Sequence, residues 1–170
     1  HVAPRPGALT LGEPSGARSE RIERLAAVIE ASGVKAPIAD DIRAALWAKL
    51  FVNISRSPLG VLTGLSERGL AQDPDTLEIT LAIMREAQAV ASSHGIEVAF
   101  DEAGNRDPQR RSEHRSSMLQ DWDLGRPMEI DGIVRSVQDF ARAAGVATPT
   151  LDVVSALLVA KARVAGTYSG

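Results

Sequence analysis

The sequence predicts a mainly α-helical protein with a short β/α segment at its N-terminus. From Asp40 to the C-terminus, apolar residues recur at helical spacing between residues that typically begin and end helices. Strand-like patterns are confined to residues 7–11 and 34–38. The chain is long enough for one sizeable core with a small appended piece.

A helix from about Ser19 to Ala31 separates the two predicted strands and ends at Ser32-Gly33, a typical left-handed exit. Its predicted apolar face consists of Ile22, Leu25, Val28 and Ile29. Two strands and one helix cannot bury a sheet by themselves. We therefore interpret residues 1–38 as the end of another domain and residues 39–170 as a helical domain. Because His1 stands where a start methionine is expected, we expect the chain to be part of a longer gene product.

The helical part begins at Asp40-Asp41, which offer N-caps for a helix that contains Lys49. We expect this helix to reach about Ile54 and to be interrupted at Ser57-Pro58, since proline disfavours helical geometry in the residue before it. Four further helices are predicted: Asp73-Pro74 to His94-Gly95, Ser116 or Ser117 to Gly125, about Met128 to Ala144, and Thr148-Pro149 to near Gly166. Residues 101–115 carry charges of both signs, a pattern that favours a solvated loop over an anion site.

The composition excludes several classes of function. The net charge of −3 and the lack of a basic stripe argue against a nucleic-acid partner. The absence of cysteine excludes thiolate catalysis and cysteine-ligated metals and is compatible with the cytoplasm, where we expect the protein to be. No apolar run is long enough to span a membrane. Its histidines, His1, His94 and His114, are too far apart in sequence to predict a metal site.

Lys49 and Asn53 are the first candidates for chemistry, because they lie one turn apart on an otherwise apolar helix. An ammonium group surrounded by hydrocarbon is destabilised in its charged form, which would suit proton donation. The alternative is that the Lys49 side chain extends along the helix flank to water and has no catalytic role.

The second candidates surround the predicted helix at residues 116–125. Ser116 and Ser117 could present hydroxyl groups and free backbone N–H groups to a substrate carboxylate, or could simply cap the helix. Glu129 could act in catalysis, or could be placed in the first turn of its helix by the helix dipole.

Several of these residues together resemble one known family. The motifs are Trp47-x-Lys49-x-x-x-Asn53 followed by Ser57-Pro58-Leu59, then Glu86-Ala87 and Gly95, then Ser117-Met118-x-x-Asp121, Gly125-Arg126 and Glu129-Ile130-Asp131, and finally Gly145-Val146 and Pro149. In order and spacing they are similar to the helical C-terminal domain of ketopantoate reductases (2-dehydropantoate 2-reductases).

The resemblance implies a multi-helix domain of the 6-phosphogluconate dehydrogenase C-terminal type, preceded by the end of a Rossmann domain. It also implies NADPH-dependent reduction of ketopantoate to pantoate, in pantothenate and coenzyme A biosynthesis, with NADPH bound mainly by a domain absent from this chain. By the same resemblance Lys49 is the general acid, Asn53 contacts the substrate hydroxyl, Ser117 binds the substrate carboxylate and Glu129 helps to order the substrate and cofactor. Lys49 and Glu129 are therefore the expected catalytic residues.

Four residues, at three places in the sequence, depart from the family pattern. Ser57 and His114 stand where substrate-contacting asparagines are common, and Val134-Arg135 replaces a frequent Asn-Gly. We expect Ser57 and His114 to contact the substrate, and their identity favours a 2-keto acid other than ketopantoate as an alternative substrate. The sequence is also compatible with a related opine or hydroxyacid dehydrogenase and with a non-catalytic helical association module. A homodimer is compatible with the enzyme and with the association module.

Overall fold

The computed structural model describes residues 7–169 and is mainly helical, as predicted. Its α-helices are α1 (Glu20–Ala31), α2 (Ile42–Thr63), α3 (Glu67–Gln72), α4 (Pro74–Ser93), α5 (Glu102–Arg106), α6 (Ser117–Asp123), α7 (Ser136–Ala144) and α8 (Pro149–Val164). The chain divides within α2 into two compact units, His1–Trp47 and Ala48–Gly170. Residues 1–6, including His1, lie outside the described residues.

In the first unit, the two predicted strands pair in parallel, but only as isolated bridges from Ala8 to Lys35 and from Leu11 to Ile38. Between them α1 is N-capped by Ser19. The predicted apolar face of α1 is wrong in part. Ile22 is buried, whereas the Leu25 and Val28 side chains are 45% and 69% exposed. The first unit therefore leaves apolar surface on α1 uncovered.

Helix α2 begins where Asp41 accepts hydrogen bonds from the backbone N–H groups of Arg43 and Ala44. The predicted interruption at Ser57-Pro58 is wrong, because α2 continues through Pro58 to Thr63. A proline inside a helix costs about 3 kcal/mol through its missing N–H and its ring. All residues from 54 to 61 are buried, so packing of this stretch offsets the cost.

The predicted loop at residues 101–115 contains α5 and a 3₁₀ turn, Pro108–Arg110, each capped by the aspartate before it. The charges of mixed sign pair with one another rather than remaining separately solvated. Arg85 and Arg106 both bind Glu102, at 2.6 and 3.0 Å, and Arg110 binds Asp101 at 2.9 Å. The prediction of an irregular solvated loop is therefore wrong for residues 102–110.

The core of the second unit forms around α4, which packs against α7 and α8. Its side chains Leu81, Ile83, Met84, Ala87 and Val90 are almost completely buried. The helix predicted from Met128 to Ala144 begins with a π-helical turn, Asp131–Arg135, that leads into α7. Helix α7 ends at Gly145 in the left-handed region, with φ of 68°.

Candidate functional site

Lys49 does not lie in the apolar surroundings that the sequence predicted. Its side chain is exposed, as are Leu46 at 61% and Val52 at 37%, whereas Trp47, Phe51 and Ile54 are buried on the other side of α2. Within the described residues the Lys49 ammonium group makes no hydrogen bond or ion pair. This face of α2 is therefore open within the described residues.

Lys49, Asn53 and Ser57 form a row along α2, because residues four apart share a helix face. Exposure falls along this row: Lys49 is exposed, Asn53 is half-buried and Ser57 is only 3% exposed. The side chains of Asn53 and Ser57 have no hydrogen-bond partner among the described residues. The described part of the chain also has no fully buried, unpaired side-chain nitrogen or oxygen, so the Ser57 hydroxyl keeps contact with solvent.

Gly60 brings this row to the beginning of α6. It lies on the same face of α2 as Asn53, seven residues further along. A Cβ placed on Gly60 would be 3.7 Å from the Ser116 hydroxyl oxygen and 3.7 Å from Leu119. A Cβ at Gly60 would thus be in ordinary van der Waals contact with the first turn of α6, which shows that α6 lies close to α2 at this point.

The two serines at the start of α6 have different roles in the structure. The Ser116 hydroxyl accepts a hydrogen bond from the backbone N–H of Leu119 and so caps α6. Ser117 is the first residue of the helix, is exposed, and has a hydroxyl with no partner among the described residues. Of the two candidates, Ser117 is therefore the one whose hydroxyl remains available to a ligand.

Glu129 directly precedes the helical segment that begins at Ile130, and its backbone carbonyl accepts a hydrogen bond from Ile133. Its side chain is exposed and is unpaired within residues 7–169. The π-helical turn next to it inserts one extra residue, and such turns are frequent at functional sites. Tyr168 donates a hydrogen bond to Asp131 at 2.5 Å across this turn.

His114 is exposed, and its ring is unpaired in the part of the chain that the structure describes. Its backbone carbonyl accepts a hydrogen bond from Glu67, which fixes the segment before α6 to the first turn of α3. Gly60 thus places the beginning of α6, at Ser116 and Leu119, close to α2, but no hydrogen bond joins Asn53, Ser57 and Ser117 to one another within the described residues. No such bond joins Lys49 or Glu129 to them in that part of the chain.

Sequence reasoning missed Arg56, which is 8% exposed in the middle of α2. Burial and the nearby charge of Arg111 lower the pKa of its guanidinium, whereas Glu67, 3.9 Å away, acts in the opposite direction. A signal was present in the sequence, because a guanidinium between Ile54 and Leu59, on a helix that is apolar on one side, needs a partner if it is buried.

Sequence reasoning also missed the contacts of Lys161 in α8. Its ammonium group donates a hydrogen bond to the Val61 carbonyl at 2.6 Å and lies 4.7 Å from the centre of the Trp122 ring. These contacts connect α8 to the end of α2 and to α6. They assign Lys161 a structural role beside the site.

Glu86, part of the motif that resembles the family, also has a structural role. Its carboxylate accepts hydrogen bonds from the backbone N–H groups of Thr150 and Leu151, at 2.8 and 2.9 Å. Glu86 of α4 therefore caps the N-terminus of α8, where Thr148 provides no side-chain cap.

Residues 7–169 lack two further features that would bear on function. No group of three or more histidine, aspartate or glutamate side chains is arranged to hold a metal ion in this part of the chain. None of the helices described has both the length and the apolar character needed to cross a bilayer.

Comparison with known proteins defines the class of this helical chain. The family description "Ketopantoate reductase PanE/ApbA C terminal" matches residues 41–162, which include the row on α2, Ser117 and Glu129. The chain therefore belongs to the ketopantoate reductase family and corresponds to its C-terminal domain.

Individual relatives agree with this assignment. The chain is 41% identical to a 2-dehydropantoate 2-reductase of Mesorhizobium japonicum over 94% of its own length and 49% of the relative. A crystal structure of 2-dehydropantoate 2-reductase from Methylococcus capsulatus matches with a TM-score of 0.80 and 30% identity, over 95% of this chain and 52% of that one. The chain thus spans about half the length of the curated relatives it matches.

A second similar structure carries the name of a different enzyme. A ternary structure of D-mandelate dehydrogenase with NADH and anilino(oxo)acetate matches with a TM-score of 0.80 and 25% identity, over 92% of this chain and 67% of that one. The same helical fold is therefore present in a protein that is named for a different hydroxy acid.

Proposed function

We propose that this chain is the substrate-binding and catalytic helical domain of an NADPH-dependent 2-dehydropantoate 2-reductase, which converts ketopantoate to pantoate. The observation that carries the proposal is the family match over residues 41–162, within which Lys49, Asn53, Ser117 and Glu129 all have side chains without a partner among the described residues. Polar groups that fold stability does not require are available to a substrate.

The proposed chemistry assigns one step to each of these side chains. A nicotinamide cofactor, when bound, would supply the hydride that reduces the carbonyl carbon of the keto acid. As negative charge develops on the carbonyl oxygen, the Lys49 ammonium group stabilises it and transfers a proton to it, which completes the alcohol. Asn53 forms a hydrogen bond with the hydroxyl group of the substrate and so orients the substrate. Ser117 holds the substrate carboxylate, and Glu129 positions the substrate.

The open face around Lys49 fits a site that is completed by another part of the full-length protein. Leu46 and Val52 expose apolar surface beside Lys49, and such surface is typical of a face that another domain or a ligand covers. We propose that a preceding nucleotide-binding domain, of which residues 1–38 are the last part, binds most of the NADPH and excludes water from Lys49. No phosphate-binding glycine-rich turn occurs in the chain, so we expect the chain alone to bind no NADPH and to be inactive. A cytoplasmic location and a homodimer remain predictions.

A second candidate is a reductase for a different 2-keto acid. Ser57 and His114 both have side chains without partners among the described residues, at positions where the family commonly has substrate-contacting asparagines. D-mandelate dehydrogenase also shares the fold. Loss of an amide that hydrogen-bonds a substrate hydroxyl strongly weakens the discrimination between substrates with and without that hydroxyl. This candidate retains Lys49 as the proton donor and changes only the substrate.

The test is an NADPH-oxidation assay on the full-length gene product with ketopantoate and with smaller and larger 2-keto acids. Lys49→Ala should lower kcat by about 10²- to 10⁴-fold, the usual contribution of a general acid. Lys49→Arg should recover little activity, because a guanidinium keeps its charge but does not release its proton. Ser117→Ala should mainly raise KM.

Lys35→Ala is the matched control, because it removes another exposed lysine and should leave kcat unchanged. Equal activity of Lys49→Ala and the control would overturn the role of Lys49 and favour a non-catalytic association module. Turnover of another 2-keto acid in place of ketopantoate, lost in Lys49→Ala, would support the second candidate.

A further inference from the structure

A cavity of about 380 Å³ lies beside α2 in the second unit and concentrates positive charge. Arg56, Arg110 and Arg111 line it, together with Asp101 and Asn105. Only Asp101 among these residues carries a negative charge. Three guanidinium groups against one carboxylate leave the lining of the cavity with net positive charge.

Arg56 and Arg111 converge on a single neutral acceptor. Both donate a hydrogen bond to the side-chain oxygen of Asn105, at 2.8 and 2.7 Å. Arg111 also donates to the Gly104 carbonyl at 3.2 Å. Glu67 is the nearest carboxylate to Arg56, and its 3.9 Å separation is too long for a hydrogen bond. Two like charges are thus held together by an amide oxygen that neutralises neither.

These guanidinium groups retain unused donors. Each has five N–H donors, and only one of its nitrogen atoms donates a hydrogen bond to an acceptor among the described residues. Because no side-chain nitrogen in residues 7–169 is both fully buried and unpaired, the remaining N–H groups keep access to solvent. Paired guanidinium donors in a partly enclosed cavity match the oxygen atoms of a carboxylate or a phosphate.

Arg110 forms the third side of the cavity. Its guanidinium pairs with Asp101 at 2.9 Å, and a Cβ on Gly104 would lie only 2.0 Å from it. The lack of a side chain at Gly104 is therefore what allows the Arg110–Asp101 pair to lie over α5. Asp101 also caps α5 through the backbone N–H of Gly104.

We propose that this cavity binds an oxyanion, a carboxylate or phosphate group of a small molecule, between Arg56 and Arg111. The anion replaces water on their free N–H groups and relieves the repulsion between the two cations. Two sources supply this chemistry: a free phosphate-bearing metabolite, or the distal carboxylate of a 2-keto acid. The second source rests on the proposed function. Arg56 supports it, because it lies on the same face of α2 as Lys49 and Asn53, at i+7 and i+3.

The experiment is a titration of the chain with inorganic phosphate at constant ionic strength, followed by NMR of the arginine Nε–H signals. We expect saturable shifts of the Arg56 and Arg111 signals. Arg111→Gln should weaken binding about tenfold, the effect of losing a charge-assisted contact. Arg126→Gln is the matched control, since it removes an exposed arginine that does not line the cavity and should leave binding unchanged.

Asp101→Asn tests the proposal in the opposite direction and does not depend on the stability of Arg111→Gln. Asparagine retains the cap of α5 but removes the negative charge, so phosphate should bind about threefold or more tightly. Absence of saturable shifts at Arg56 and Arg111 up to about 50 mM phosphate would overturn the proposal. The proposal would also be overturned if Arg126→Gln weakened phosphate binding as much as Arg111→Gln, or if Asp101→Asn did not tighten phosphate binding.

A second arm of the experiment identifies the source. 2-Oxoglutarate carries a distal carboxylate, and 2-oxobutanoate lacks it. If phosphate and 2-oxoglutarate shift the Arg56 and Arg111 signals, 2-oxobutanoate does not, and 2-oxoglutarate also shifts the Asn53 side-chain amide, the anion belongs to the substrate. If phosphate shifts the two arginine signals and neither keto acid does, the cavity binds a separate metabolite. Both outcomes support an oxyanion site, and the second does so even if the proposed reduction fails.

Discussion

The contact between Glu86 and α8 allows a quantitative test of how the second unit is held together. The first residue of α8 is Pro149, which has no N–H group to satisfy. The next two N–H groups, of Thr150 and Leu151, both donate to the Glu86 carboxylate. The fourth, of Asp152, donates to the Thr148 carbonyl at 2.8 Å. Glu86 thus satisfies every donor at this helix end that the backbone leaves unpaired.

Replacement by alanine removes two charge-assisted hydrogen bonds and a favourable interaction with the helix dipole. Because the site is only partly buried, water replaces some of this interaction, and we expect Glu86→Ala to lower the free energy of unfolding by about 2 kcal/mol. Glu86→Gln keeps one acceptor oxygen and should cost about 1 kcal/mol. For a chain of this size, 2 kcal/mol corresponds to a fall in Tm of about 4–8 °C.

Urea unfolding followed by circular dichroism measures these differences. Hydrogen exchange at the Thr150 and Leu151 amides reports the cap directly and should accelerate in both variants. Glu97→Ala is the matched control, since Glu97 is exposed and its side chain has no partner among the described residues, and it should change stability by less than about 0.5 kcal/mol. If Glu86→Ala unfolds at the same urea concentration as this control, Glu86 does not hold α8 in place.

Two smaller perturbations test other parts of the fold. Gly145→Ala should cost about 1 kcal/mol in urea unfolding, because φ is 68° there and no atom lies near the added Cβ; Gly132→Ala, with equal space but no positive φ, should be neutral or stabilising. Hydrogen bonds from Arg21 and then Ser19 hold the pKa of Glu13 below its ordinary value of 4.5. Because the pKa of Glu13 is lower in the folded than in the unfolded state, its carboxylate stabilises the folded protein at pH values above the unfolded-state pKa. This stabilisation is lost as the pH falls through the folded-state pKa. Acid should therefore destabilise the wild type more steeply than Glu13→Gln. Parallel acid-unfolding curves for the two proteins would contradict this.

Predictions from sequence were correct where a single local interaction decides the structure. Asp73 caps α4 and Gly145 ends α7, because each of these interactions lies within four residues along the chain. The predictions failed where contacts between residues far apart in the sequence decide the structure. Pro58 remains helical because α2 is buried around it, and residues 102–106 form a helix although their charges alone indicate a loop.

The same distinction holds for the candidate site. Helix spacing alone places Lys49 and Asn53 on one face, and the structure keeps them there. Ser57 lies on the same face only because α2 continues through the predicted interruption at Ser57-Pro58. The surroundings of Lys49 could not be obtained in this way, because an apolar neighbour in sequence covers a side chain only if another element packs over both. Leu46 is such a neighbour and is itself 61% exposed. Ser116 and Ser117 were equivalent in sequence, and only the bond to Leu119 separates them.

The exposure of Lys49 changes the physical basis of its proposed role. An ammonium group in water interacts weakly with a developing negative charge, because the solvent screens it. The interaction becomes strong only after water leaves the α2 face, when a covering domain and the substrate are both in place. Lys49 should therefore be catalytically competent only in the assembled, substrate-bound state of the full-length protein, which is why the kcat of that protein tests its role.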